Sequence, residues 1–575
     1  MCESIPQSFH PLKLERDNGK LGEVGDESTL HKTICQGDSQ TAAMPDAVST
    51  LAYHDIMCFV FQPKQVRDKG MSIFNRTFHP DEANQAFTTG RLLETGVYRY
   101  DPKDHHGPTL YYAAAAIQKA AGNSTTATLD GTLLRCTPLL FGILTLLFLF
   151  LSLSKILKNV SKGRWIAAAF PILLASSPIF IFFATDFIQE MLLASFTSMM
   201  FWAATGYMVH DDGKSKIKPG TWTLLGGIAA GLAFATKETS LMTFGAMTIP
   251  VLVAYLYCRK NNVPHNPTGC NKTPSHLVLA SAGFALTAML FYSSFAQNWQ
   301  GVYNAFVAAP MSYLHRAAGN GEISEGAAYH VHPWWQYLKW LFGGNMAFAT
   351  YSVSGMLTGI YAFRKDRTDN RIPVPLKAGF IAITGFALSL TAIYSGIPYK
   401  TPWCALQMHT PVMAAGFLGF LLWALLHGRT GRFIMFGFSA MVLFWNASLV
   451  EKMWHDPDSK DIVYNYASAS PQVKDMAKQI EEAVSSKNGG AQGFVAVAVP
   501  SEDTWPLPFY LRRINANVGY WTQFEELEML AALNRRPDVV VVPAEQGHLV
   551  QPLFPHLKNT KRFEMRHRVR IRVFW

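Results

Sequence analysis

The sequence predicts a mostly α-helical, polytopic membrane protein with a small α/β domain at its C-terminal end. Only 16% of the 575 residues are charged and 49% are hydrophobic, whereas soluble domains carry about a quarter charged residues. The apolar residues gather in runs of roughly 20, the length that crosses a hydrocarbon core about 30 Å thick. After residue 450 the character changes: 16 basic and 15 acidic residues return, with short β-like runs among them.

Ten runs read as spans: 133–153, 165–184, 187–209, 221–236, 239–257, 277–296, 341–363, 376–395, 403–427 and 432–450. In the first, Arg135 stands near one end, where a long side chain can snorkel. Alternate loops then differ sharply in charge. One set carries 17 Lys or Arg, among them Lys155, Lys158, Lys162, Arg164, Arg259, Lys260, Arg364, Lys365, Arg429 and Arg432. The opposite short loops hold only Lys237 and Lys400. The positive-inside rule therefore sets the first group in the cytoplasm. It also explains the net charge of +10 without invoking nucleic acid. Seven cysteines show no close pairing, which excludes a disulfide framework or zinc-ligand spacing as the organising feature.

Residues 1–74 contain no run long enough to span and no n-region followed by an apolar h-region. They are expected to be disordered and atypical. The membrane unit then covers 75–450 and the extracytoplasmic α/β domain 451–575. In the latter, "GFVAVAV" (493–499) and "DVVVVP" (538–543) flank a helical pattern at 523–536, a strand–helix–strand order. "RHRVRIRVF" (566–574) alternates arginine with apolar residues and reads as an edge strand with one basic face.

Every unusual polar cluster falls on the outer side of this arrangement. "HPDEANQAF" (79–87) sets Pro80 at a helix start with Asp81 and Glu82 in the first turn, where the helix dipole favours acids. Adjacent carboxylates point about 100° apart, so one can face a substrate while the other ties down the scaffold. "DPKDHHGPTLYY" (101–112) is a polar turn with His105 and His106, a pair too small to hold a metal without partners from elsewhere. "TDFIQE" (185–190) spaces Asp186 and Glu190 at i and i+4, where like charges repel unless a cation, a proton or a hydroxyl compensates. Lys237 with Glu238, and Lys400 between Tyr399 and Trp403, complete the set. Each cluster has a bland reading as a cap, a turn, a local pair or a snorkelling lysine. Their common sidedness is the feature those readings do not explain.

"HPDEANQAF…ETGVYRYDPKDHHGPTLYY", "FYSSFAQNWQGVYNAF" (291–306), "HPWWQYL" (332–338), "PYKTPW" (398–403) and "WPLPFYLRRINANVGYW" (505–521) together resemble the flippase-activity-associated family of multi-pass glycosyltransferases. That family is related to protein O-mannosyltransferases and lipid A aminoarabinose transferases, and the likeness runs from about residue 75 to the end. It implies a GT-C fold, a catalytic acid in the first outer loop and a polyprenyl-phosphate sugar donor in the cytoplasmic membrane. It also calls for a span just before the acidic loop, which residues 1–74 do not offer. The candidate catalytic residues are then Asp81 and Glu82. The candidate substrate-binding residues are Arg91, His105, His106, Asp186, Glu190, Lys237, Glu238, His332, Tyr399 and Lys400. No cofactor is required, because lysines can supply positive charge, although Mg or Mn is compatible with the chemistry. The expected partners are the lipid-linked donor, membrane lipid and a glycan, lipid or protein acceptor. Two other readings remain at this level: a transporter or flippase of polyprenyl-linked glycans, and a catalytically decayed scaffold.

Overall fold

The computed structural model describes residues 73–102, 106–209, 217–261, 273–311, 330–366, 371–459, 462–466, 468–488, 492–514, 516–566 and 569–575. The N-terminal stretch through residue 72, His105, and the basic residues Lys214, Lys216, Lys272, Arg367 and Arg568 lie outside them.

Two helices precede the spans, α1 (Pro80–Thr95) and α2 (Thr109–Ala120). Helix α1 starts where the sequence signals it. His79 caps the first turn, Pro80 occupies the first position, and Gly96 ends the helix at φ 71°, a conformation open to glycine. The membrane helices follow: α3 (Gly131–Ile156), α4 (Gly163–Ala175), α5 (Pro178–Ala184), α6 (Glu190–Met208), α7 (Pro219–Phe234), α8 (Ser240–Lys260) and α9 (Thr273–Tyr292). After the short α10 (Trp299–Tyr303) and α11 (Gln336–Phe342) come α12 (Met346–Lys365), α13 (Val374–Gly396) and α14 (Ala405–His455).

Among the described residues, five helices are long and apolar enough to cross a membrane, or six when the bent pair α4–α5 counts as one span. The chain is thus a multi-pass membrane protein. Each of the ten expected spans coincides with a helix or part of one. Helices α6, α7 and α12 do not pass the length-and-apolarity criterion on their own, and α6 is largely enclosed by its neighbours. A helix so covered has no need of a continuous lipid-facing surface. Helix α14 is two spans joined at Gly428, whose φ of 63° and ψ of −121° are not helical. Large apolar side chains such as Leu140, Ile143, Ile249, Leu252, Phe433 and Phe444 are exposed, as expected where acyl chains are the solvent.

Helices cross closely where small residues allow it. A Cβ on Gly355 of α12 would stand 2.3 Å from the Gly416 carbonyl oxygen of α14. The 74° bend between α4 and α5 has its own polar bracket. Ser177 Oγ pairs with His409 Nε2 at 3.0 Å, Asn446 donates to Ser176 Oγ at 3.1 Å, and Asn345 donates to Asn446 at 2.8 Å. The bend turns α5 toward residues 185–189, which matters for the site.

The C-terminal part holds α15 (Gln472–Asn488), β1 (Gly493–Ala498), β2 (Ala516–Trp521), α16 (Glu525–Ala532), β3 (Val539–Pro543), α17 (Gly547–Leu553), β4 (Thr560–Arg566) and β5 (Val569–Phe574). The sheet order is β2-β1-β3-β5-β4, with β1, β2 and β3 parallel and β5 antiparallel to both its neighbours. Strand alternation divides the core. Val495, Val497, Val539 and Val541 pack on the α15 side, while Ala496, Ala498, Val540 and Val542 pack with Leu527 of α16 and Val550 of α17. One expectation is corrected here. The arginine-alternating strand is not an edge, because β3 and β4 pair on either side of it, and β4 forms the edge instead.

This domain is fastened to α1 and its approach. Phe509 stacks on Phe78 with ring centroids 4.2 Å apart, Trp505 meets Phe87 at 5.5 Å, and the Tyr510 hydroxyl accepts the Phe78 N–H at 2.9 Å. Arg512 and Arg513 both donate to the Leu129 carbonyl at 2.7 Å.

Candidate active site

Most of the described polar residues singled out from the sequence are drawn into buried pairs. They form three neighbouring nests rather than one cluster. The first is built around Glu82. Arg135 donates to its two carboxylate oxygens at 2.8 and 2.6 Å, and the backbone N–H groups of Phe187 and His79 donate at 2.9 and 3.0 Å. Arg76 lies 3.7 Å away and donates to Asp186 at 2.6 Å. Arg135 also donates to the carbonyls of Phe74 (2.7 Å) and Arg76 (2.9 Å) and lies 4.4 Å from the Phe78 ring centre. It therefore does not snorkel; it is fully buried. A guanidinium matches a carboxylate with two parallel bonds, and that match is why an arginine stands in an apolar run.

Burial by itself pushes the Glu82 carboxyl up, but the charges of Arg135 and Arg76 outweigh it and hold the group at about 2. Asp186 is pushed the other way by burial and by the neighbouring charge of Glu82, with Arg76 opposing.

The second nest pairs Lys237 with Glu190, both nearly inaccessible, and Gln407 donates to the Glu190 carbonyl at 2.7 Å. Residues 185–189 are not regular helix and α6 starts at Glu190. The expected stacking of Asp186 and Glu190 on one helical face is thus corrected. Each carboxylate has its own cation, Arg76 and Lys237. The third nest joins His106 Nδ1 to Glu238 at 2.8 Å, with the Tyr100 hydroxyl donating to the same carboxylate at 2.8 Å. Chain neighbours link the three, through Asp186 with Glu190 and through Lys237 with Glu238.

Asp81 stands apart from this saturated chemistry. Among the described residues no donor reaches its carboxylate. His79 Nδ1 is 3.8 Å away and already accepts the Asp81 backbone N–H at 3.1 Å. His79 Nε2 therefore carries the proton and donates to the Tyr466 carbonyl at 3.0 Å. The surroundings are ring-rich. His79 meets Trp403 at 5.9 Å, and His330 meets Tyr399 at 4.9 Å and Tyr466 at 5.6 Å. Burial pushes the His330 imidazole down to about 4, against the pull of the Asp81 charge, so it is neutral at physiological pH.

Lys400 belongs to the same corner. Its backbone N–H donates to the His330 carbonyl at 2.8 Å, and the His332 N–H donates to Pro398 at 3.1 Å, an isolated antiparallel bridge. The Lys400 ammonium donates to the His332 and Ile397 carbonyls and meets no carboxylate among the described residues. Arg91 lies farther along α1 and donates to Thr88 at 3.3 Å, while Glu94 accepts the Thr126 N–H at 2.7 Å. No group of three or more metal-ligating side chains occurs among the described residues.

No family model matches the chain, and no curated protein sequence does. Its fold has solved counterparts. The crystal structure of ArnT from Cupriavidus metallidurans bound to undecaprenyl phosphate aligns with a TM-score of 0.57 at 14% identity, over 92% of this chain and 98% of that one. The fold is of GT-C type. The apo state of the same ArnT gives 0.56 over the same shares. The Archaeoglobus fulgidus oligosaccharyltransferase in complex with Zn and sulfate gives 0.42 at 13% identity, over 82% of this chain and 65% of that one.

Within this GT-C frame, three residues that sequence reading did not single out, Arg76, His79 and His330, prove central to the geometry, as does Arg135, which the sequence alone reads as a snorkelling residue. A signal existed for Arg135, since an ionised group inside a span is costly and asks for a partner. For Arg76 and His330 there was none, because their partners are 110 and more than 60 residues away in the chain.

Proposed function

We propose that this chain is a membrane glycosyltransferase that moves a sugar from a polyprenyl-phosphate donor to an acceptor hydroxyl at the extracytoplasmic rim. On the motifs quoted above, it belongs with the flippase-activity-associated group of GT-C proteins. The observation that carries the reading is the contrast within α1. Glu82 is saturated with donors, while among the described residues the carboxylate of its neighbour Asp81 accepts no hydrogen bond and has only His79 Nδ1 at 3.8 Å. The ArnT counterpart was crystallised with undecaprenyl phosphate, which supports a lipid-phosphate donor.

In this reading Asp81 takes the proton of the acceptor hydroxyl. The acceptor oxygen forms a bond to the anomeric carbon as the bond to the phosphate oxygen breaks, with inversion. The departing phosphate is stable as an anion and needs cationic company rather than an acid. Lys400, which among the described residues is held by carbonyls, supplies that charge, while Lys237 is already neutralised by Glu190. Glu82, Asp186 and Arg135 fix the start of α1 so that Asp81 faces the substrate. Tyr399 and His332 line the approach, and His106 with Glu238 holds the turn before α2.

The test is Asp81→Asn in purified protein with a polyprenyl-phosphate sugar as donor. Loss of a general base costs about 10²–10⁴-fold in rate, with an unchanged melting temperature because the carboxylate accepts no hydrogen bond among the described residues. Transfer at the wild-type rate would remove Asp81 from this role.

A further inference from the structure

The α/β domain contains a crevice that the transfer chemistry above does not use. It has a volume of about 320 Å³ and is lined by Pro500, Thr522, Gln523, Phe524, Glu525, Pro543 and Gln546. Those residues have one thing in common: they follow the carboxyl ends of β1, β2 and β3, the three parallel strands. The strand order runs outward from β1 in both directions, to β2 on one side and β3 on the other. The crevice therefore opens at the point where the winding of the sheet reverses, the place where open α/β sheets bind ligands. Its volume lies within the range of small-ligand sites, about 300–1,000 Å³.

The usual occupant of such a crevice is a phosphate-bearing nucleotide, held by a glycine-rich first turn and a helix N-terminus. This crevice rejects that ligand. The chain leaves β1 through Val499, Pro500 and Ser501, with no glycine. The first turn of α16 carries Glu525, Glu526 and Glu528. The backbone N–H groups of Thr522 and Gln523 are already taken by the Glu526 carboxylate at 3.0 and 3.2 Å. No lysine or arginine lines the space. What remains is a hydroxyl, two primary amides and a carboxylate, with prolines on two sides. Amides offer two donors and an acceptor together, which suits the paired donor and acceptor character of vicinal hydroxyls.

We propose that this crevice is a saccharide-binding site, through which the α/β domain holds the glycan part of the acceptor; this identity of the acceptor rests on the glycosyl-transfer reading. The chain joins the site to the neighbourhood of Asp81. From Pro500 the chain continues directly into the segment whose Trp505 packs on Phe87 and whose Phe509 stacks on Phe78, the two aromatic residues of α1 and its approach that flank Asp81 in sequence. The segment is fixed further by the ion pair of Asp503 with Arg566.

The test reads binding without transfer. Saturation-transfer NMR on the full-length protein in micelles, with chitobiose, cellobiose and mannobiose as probes, is expected to show contact with at least one of them. The double variant Gln523→Ala, Gln546→Ala should weaken that binding at least tenfold with an unchanged melting temperature, and Asp81→Asn should leave it unaltered. Absence of binding by every disaccharide, binding indifferent to the double variant, or displacement of the sugar by inorganic phosphate or a lysine-rich peptide would overturn the proposal. Failure of the glycosyl-transfer reading appears separately, as absent turnover with a lipid-phosphate sugar.

Discussion

Replacing Arg135 with leucine should invert the pH dependence of stability that Glu82 contributes. In the native protein Glu82 sits at about 2 against an ordinary value of 4.5. A carboxyl so depressed contributes stability that is whole above pH 4.5 and is lost as pH falls from 4.5 toward 2. The difference of 2.5 units corresponds to about 3 kcal/mol. Arg135→Leu removes both bonds to the carboxylate and leaves Arg76 at 3.7 Å as the remaining cation. It also strands the carbonyls of Phe74 and Arg76. Truncating one partner of a buried pair costs about 3–5 kcal/mol. In the variant burial dominates, and the carboxyl rises above 4.5. Stability should then increase as pH falls from 7 toward 5, a window in which Glu82 of the native protein gives no slope. Melting temperatures of both proteins in micelles, measured from pH 7 to 5, decide the matter. A loss below about 1 kcal/mol, or parallel curves for the two proteins, would refute the assignment of Arg135 as the counter-ion of Glu82.

Three further outcomes follow from the same geometry. Lys237→Met should destabilise by about 3–5 kcal/mol by leaving Glu190 buried without its cation, and adding Glu190→Gln should restore most of that loss, as a thermal double-mutant cycle would show. Gly355→Leu should lower the melting temperature, because a Cβ already meets the Gly416 carbonyl at 2.3 Å and overpacking costs about 1–3 kcal/mol or more. If the proposed lipid-phosphate donor binds beside Lys400, Lys400→Ala should weaken binding of a polyprenyl phosphate by about tenfold, one charge-assisted contact being worth about 1.5–3 kcal/mol; isothermal titration with the lipid in micelles reads it directly.

How far the sequence led depended on the range of the interactions involved. Hydrophobic runs are local, and every predicted span overlaps a helix; the break at Ser177–Pro178 and the turn at Gly428 are what the runs did not reveal. The helix start at Pro80 was equally legible, since caps and dipole preferences act within one turn. Pairing was not. Asp186 and Glu190 looked like repelling neighbours because their cations, Arg76 and Lys237, come from other segments. Arg135 looked like a snorkelling residue because nothing nearby in the chain reveals that Glu82 waits for it. The basic strand looked like an edge because alternation describes its faces and says nothing of which strands lie beside it. The angle between Asp81 and Glu82 on a helix gave the expectation that one of them ties down the scaffold, and the geometry shows Glu82 so tied.

The clasp between the start of α1 and the α/β domain also has a bearing on biosynthesis. Asp458 accepts the Thr77 N–H, the Tyr466 carbonyl accepts from His79, Lys474 donates to the Asn75 carbonyl, and Phe78 stacks on Phe509 and donates its N–H to Tyr510. Every one of these anchors is made by the ribosome several hundred residues after the acid they steady. A product cut short after α14 would lack every one of them, so the start of α1 settles into place after the last stretch of polypeptide has been made.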